Sequence, residues 1–236
     1  MDNDRATGQS SGKITSGIAR VDTLALSTIS FVYEQLPSWR DDPDRPDEIA
    51  EDKLNLQLCK YLDTRARFDF PMVRFDREEP QTCRRRVDLA ASPAKTTKIG
   101  ARTHTIYDPF LVLEGKRLPA PSSAREREYV TGLEERTGGI QRFKLGLHGA
   151  NMVLATMIAF IQEKSPSDWY GEVNKWIVEL GDSSMKDVCI WSADETLSST
   201  DENQSKGVAR YLSAHSREKL DKITIHHLWV RMKRSA

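Results

Sequence analysis

The chain has 236 residues, with Lys+Arg and Asp+Glu equal at 35 each and therefore no formal net charge. That length can bury a substantial core, and a hydrophobic fraction of 38% beside 30% charged residues describes a folded chain with a polar surface rather than wholesale disorder. The even balance excludes a global basic excess as the route to nucleic acid, so any such binding has to come from a local patch. Three scattered cysteines (Cys59, Cys83, Cys189) without C-x-x-C spacing argue against a disulfide framework or a four-thiolate metal site. No apolar run approaches the ~18–20 residues that span a membrane. The polar start MDNDRATGQSSGKITSG has no signal-peptide core, so no membrane association and a cytoplasmic location are expected.

Residues 1–17 read as a flexible tail, followed by a single α/β domain over 18–236. Apolar residues at three- and four-residue steps predict a helix over 18–36, broken at Pro37. Pro46 is expected to open a second helix, with Asp47 and Glu48 in its first turn and a stripe of Leu54, Leu58 and Leu62. The period then changes. Residues 68–75 alternate and read as a strand, irregular or at an edge because of Pro71, and 85–91 (RRVDLAA) read as a second. The apolar run in IYDPFLVLEGKRL, within 105–118, suits a central strand buried on both faces. The segment PAPSSAREREYV is expected to cross a Pro/Ser turn into a short charged helix, followed by a long apolar helix over about 140–163 and another over about 167–180. Residues 187–193 read as a late strand, LSSTDENQSKG as a polar loop and KITIHHLWVRMK as the final strand.

Chemistry concentrates at Asp88, Glu114 and Lys116. Glu114 and Lys116 are two apart on a strand and so project from one face, at the end of the apolar run FLVL. Charges placed there are costly unless paired or bound to a metal. If the strand carrying Asp88 pairs with this one, two carboxylates and an ammonium meet. Mg²⁺ favours such oxygen ligands, keeps several waters and binds phosphate oxygens. The alternative is that Glu114 and Lys116 are solvated at a strand end and Asp88 sits in a turn.

An Asp followed by Glu-x-Lys on adjacent strands, behind a helix carrying a Glu, resembles the PD-(D/E)XK nuclease superfamily. Glu114 follows Asp88 by 26 positions (114 minus 88), and Val87 stands where the motif often has Pro. The resemblance spans residues 46–163 and implies a restriction-endonuclease-like α-β-β-β-α-β core, a central mixed sheet flanked by helices, with extra N- and C-terminal helices. It further implies a Mg²⁺-dependent nuclease, Mn²⁺ substituting, that acts on nucleic acid, DNA favoured, in bacterial restriction or anti-phage defence. Asp88 and Glu114 resemble the metal ligands, joined by the Gly115 carbonyl and by Glu51 from the helix, with Glu48 as second choice. Lys116 resembles the catalytic lysine. Gln141, Arg142 and Lys144, on the helix after Glu-x-Lys, are the expected phosphate contacts, and Arg84, Arg85 and Arg86 alternate faces ahead of Asp88. A second copy or a partner protein is expected to supply specificity, with the tryptophan-rich C-terminal region (Trp169, Trp176, Trp191, Trp229) as core or contact surface. The reading from another class is a catalytically silent scaffold that keeps the fold.

Overall fold

A computed structural model of the protein describes residues 23–81, 85–99, 102–182 and 185–232. The tail expected over 1–17, Cys83, Arg84 and the basic end at 233–234 lie outside these. The described chain is organised around a seven-stranded mixed sheet in the order β1-β2-β5-β6-β9-β8-β7. The first three strands, β1 (Val73–Pro80), β2 (Arg86–Pro93) and β5 (Leu111–Leu118), are antiparallel neighbours. A short hairpin of β3 (Thr97–Ile99) and β4 (Arg102–His104) is inserted between β2 and β5. From β5 the sheet continues parallel through β6 (Leu154–Ile161) to β9 (Ile223–Arg231), then antiparallel through β8 (Val208–His215) to β7 (Ser198–Asn203).

Helices cover both faces. Helices α1 (Thr23–Asp41) and α2 (Glu51–Asp69) pack Ile29, Leu36, Trp39, Leu54 and Leu58 on one side, against Leu111, Leu113, Ile158 and Leu228. On the other side, α3 (Gly139–Lys144) and α4 (Pro166–Gly181) pack Ile140, Phe143, Trp169 and Trp176 against Val112, Leu118, Met157 and Trp229. Strand β5 therefore sends its even-numbered side chains towards α3 and α4, and its odd-numbered ones towards α2. The start of α4 is strongly encoded: Ser165 accepts from Asp168 N–H while the Asp168 carboxylate returns to Ser165 N–H, and Pro166 opens the first turn.

Several expectations are corrected. The long helix over 140–163 is instead a six-residue helix, a turn and the parallel strand β6. Gly146 and Gly149, at φ +66° and +58°, turn the chain out of α3 in a conformation that favours glycine. Helix α1 runs through Pro37, because Trp39 and Arg40 beyond it are buried. Helix α2 starts at Glu51, so Asp47 and Glu48 precede it, and it continues to Asp69 where a strand was expected. Residues 123–125 form one 3-10 turn, 187–193 form no strand, and the expected polar loop is the exposed edge strand β7. The expected extra helices are α1, ahead of α2, and α4, after β6, and the chain then adds a three-stranded meander. Trp169, Trp176, Trp191 and Trp229 are all buried, so the tryptophans are core and offer no contact surface. No described helix is long and apolar enough to cross a membrane.

Candidate active site

The sheet opens where the charged residues lie. Pairing of β2 with β5 ends at Leu89–Leu113, whereas β1 follows β2 to Arg86 and β6 follows β5 to Leu118. Strand β2 thus parts from β5 at Asp88 and Glu114. Backbone amides of β5 beyond that point need other acceptors, and two carboxylates supply them. Asp88 Oδ2 accepts from Gly115 N at 2.9 Å, and Glu51 Oε2 accepts from Arg117 N at 3.0 Å. Glu51 is the first residue of α2, where a negative charge also suits the helix dipole.

Lys116 lies between two acids, its Nζ 2.8 Å from Glu51 Oε1 and 3.2 Å from Glu114 Oε1. Glu114 is 1% exposed and Lys116 5% exposed, which removes the alternative of a solvated strand end. Two further side chains from the α3 side reach Glu114: Arg142 Nη1 at 2.6 Å from Oε1, and His148 Nδ1 at 3.2 Å from Oε2. The His148 contact lacks hydrogen-bond alignment, and its ring stands edge-on to Phe143.

These contacts set the charges. Burial opposes ionisation of Glu114, but Lys116, His148 and Arg142 outweigh it and hold the carboxyl well below its usual range. Burial likewise opposes charge on Lys116, yet Glu114, Glu51 and Asp88 raise its pKa above the ordinary value, so the amine stays an ammonium. Asp88 moves the other way. Burial, then the neighbouring Glu114 charge, push its carboxyl up to about 8, against the opposing pull of Lys116 and the Gly115 amide.

A pH dependence follows. The folded Asp88 pKa lies above the unfolded value, so the folded chain binds the extra proton between about pH 4 and pH 8 and loses stability as pH rises through that window. Asp88→Asn is expected to match the parent in urea denaturation at pH 5 and, without divalent ions, to exceed it by roughly 4 kcal/mol at pH 9. Equal stability at both pH values would refute the raised Asp88 pKa.

Two neighbours lie outside the expected set of site residues. Asn55, one turn after Glu51 and 2% exposed, packs on Gly115 with neither side-chain polar atom hydrogen-bonded. A Cβ on Gly115 would stand 1.9 Å from Asn55 Oδ1, so a side chain there would force the buried Asn55 side chain to move. Gly115→Ala is expected to cost about 1–3 kcal/mol in urea denaturation, and Asn55→Ala should recover part of that loss in a double-mutant cycle. Independent, additive losses would contradict the contact. His148 is the other neighbour; its position in LGLHGAN carries no period that would bring it to Glu114.

Of the three expected phosphate contacts only Arg142 faces the acids. Gln141 is fully buried. Its Oε1 accepts from Gly132 N and Gly138 N, and its Nε2 donates to Leu133 O and Asp187 Oδ1. Lys144 is buried against Glu195. Both are corrected to structural roles. Arg85 bonds to Arg136 O and Arg86 pairs with Glu78. His226 and His227 point to opposite faces, bonding Arg210 and Tyr129 respectively. Among the described residues no three His, Cys, Asp or Glu groups converge as ligands of one ion. Glu51 in particular is turned to Lys116 and Arg117 N.

Comparison with models of known protein families, with curated proteins and with solved structures finds no match.

Proposed function

We propose that the protein is a Mg²⁺- or Mn²⁺-dependent nuclease of the PD-(D/E)XK type, hydrolysing phosphodiester bonds with DNA as the favoured substrate. The observation that carries this reading is the parting of β2 from β5, which leaves Asp88, Glu114 and Lys116 at one opening. The chain order α2, β1, β2, β5, α3, β6, with β6 parallel to β5, supports a restriction-endonuclease-like core.

The donor set fits a hard divalent ion. Asp88 Oδ1 and Glu114 Oε2 make no hydrogen bond among the described residues, and the two carboxylates raise one another's cost of ionisation. A strand residue directs its N–H and C=O to the same edge, so the Gly115 carbonyl opens where Asp88 meets its amide. Mg²⁺ is commonly held by one or two carboxylates with waters and phosphate oxygens completing its shell, so Asp88 and Glu114, with the Gly115 carbonyl, are the ligands in this reading. When bound, the ion supplies a water of lowered pKa and charge neutralisation at the phosphate. Lys116, charged and held by Glu51, orients the attacking water and donates to charge developing on the phosphate oxygens. Arg142 faces the phosphate.

The purified protein is expected to cut plasmid or linear DNA in Mg²⁺ or Mn²⁺, and RNA less well, with no cleavage in EDTA. Cleavage that persists in EDTA would contradict the mechanism. One observation favours the second reading, a silent scaffold: the charge on Glu114 is already met within the chain by Lys116 and Arg142. A scaffold would show no cleavage and no Mn²⁺ binding.

A further inference from the structure

We propose that Arg142 is a stand-in cation at this site: without substrate its guanidinium holds Glu114 Oε1 against a divalent ion, and a substrate phosphate releases that oxygen by drawing Arg142 away. The inference rests on the nuclease reading and concerns how that site is loaded.

Three side chains, Lys116, Arg142 and His148, contact Glu114, and one of them is free to leave. His148 is 1% exposed and walled by Phe143. Lys116 is tied to Glu51 as well as to Glu114. The Arg142 side chain is 19% exposed and has Glu114 as its one ion-pair partner among the described residues, while its Nε has no hydrogen bond. It also lines a depression of about 680 Å³, shared with Arg125 and Arg127 and with the acids Glu126, Glu128 and Glu135. Arg125 and Arg127 are committed to Glu128 and Glu179, so Arg142 is the arginine there whose acid the ion itself would take.

Charge counting gives the same answer. Glu51, Asp88 and Glu114 carry three negative charges when ionised, and Lys116 with one divalent ion balances them. Arg142 would then be one positive charge in excess, competing with the ion for Glu114 Oε1 in a site where burial magnifies repulsion. A phosphodiester carries the single negative charge that accepts it, and a guanidinium binds phosphate oxygens through paired N–H groups. Metal and phosphate therefore favour one another's binding through Arg142, and by linkage the effect is reciprocal.

The test is Mn²⁺ binding measured by electron paramagnetic resonance. Parent and Arg142→Gln are compared with and without a short duplex whose phosphorothioate linkages resist cleavage. Arg142→Gln alone is expected to bind Mn²⁺ about tenfold tighter than the parent, a coupling of ordinary size. The duplex is expected to tighten Mn²⁺ binding to the parent by a similar factor and to leave Arg142→Gln little changed. Arg142→Lys, which keeps a charge on a shorter reach, should fall between, and it serves in place of Arg142→Gln if thermal melting shows that variant unfolded. Equal or weaker Mn²⁺ binding by the variants, with the parent binding normally, overturns the stand-in role and leaves the nuclease reading intact. Absence of Mn²⁺ binding in parent and variants alike, with or without duplex, overturns both.

Discussion

Lys116→Met is expected to lower single-turnover DNA cleavage about a thousandfold in saturating Mn²⁺, the upper end of the effect of removing one preorganised donor. Methionine keeps the apolar stem that β5 buries and removes only the ammonium. Lys116 cannot serve as a general base, because Glu114, Glu51 and Asp88 hold it charged. In the proposed nuclease its contribution is a fixed positive charge beside Glu114, which grows in value as charge develops on the phosphate oxygens. Mn²⁺ binding should survive the change, since Asp88 and Glu114 remain. The fold should survive too, since Glu114 keeps Arg142 and His148 and Glu51 keeps Arg117 N. A folded Lys116→Met protein with undiminished cleavage would remove Lys116 from the mechanism.

The second large effect is structural. Glu195→Ala is expected to destabilise the protein by about 3–5 kcal/mol in urea denaturation, the scale for stripping one partner from a buried ion pair. Lys144 is buried beside Trp191, with Glu195 Oε1 and Oε2 at 2.7 and 2.5 Å and the Ser216 carbonyl at 3.2 Å. Glu195 also ends a buried relay whose direction it fixes. A carboxylate only accepts, so His215 Nδ1–H faces Glu195 and His215 Nε2 accepts from Ser213. Ser213 in turn accepts from His227 Nε2–H. His227 Nδ1 accepts from Tyr129, and Tyr129 accepts from Trp229 Nε1. Burial pushes the pKa of both histidines down, which keeps them neutral as the relay requires. Removing Glu195 leaves the Lys144 ammonium with only the Ser216 carbonyl and the His215 N–H without its acceptor. It also frees α3, which carries Arg142 towards Glu114. A loss below about 1 kcal/mol, the ordinary range of an exposed pair, would show that Lys144 finds another partner or reaches water.

The site was more legible in the sequence than the path of the chain through it. Glu114 and Lys116 two apart, ending a run as apolar as FLVL, announced a buried charged pair by cost alone. Glu51 could be placed from its offset to Leu54, Leu58 and Leu62. Strand β6 was hidden because LATMIAFI is apolar on both faces, so a parallel strand and a buried helix look alike by period. The break between α3 and β6 lay in Gly146 and Gly149, whose positive φ only the folded path reveals. Strand β7 was hidden for the opposite reason: at the sheet edge its SSTDEN side chains are exposed and polar. Gln141 and Lys144 looked like surface polar residues because their partners, Asp187 and Glu195, lie more than forty positions away in sequence.

The central claim is that a divalent ion sits between Asp88 and Glu114 where β2 leaves β5. The most direct measurement is anomalous diffraction from crystals of the protein with a short cleavage-resistant duplex, soaked in Mn²⁺. The account predicts one peak within coordination distance of both carboxylates, with Lys116 Nζ alongside, and no peak in Glu114→Gln crystals. Ordered density for the site with Mn²⁺ elsewhere or absent, and Arg142 still on Glu114 in the presence of bound DNA, would contradict it.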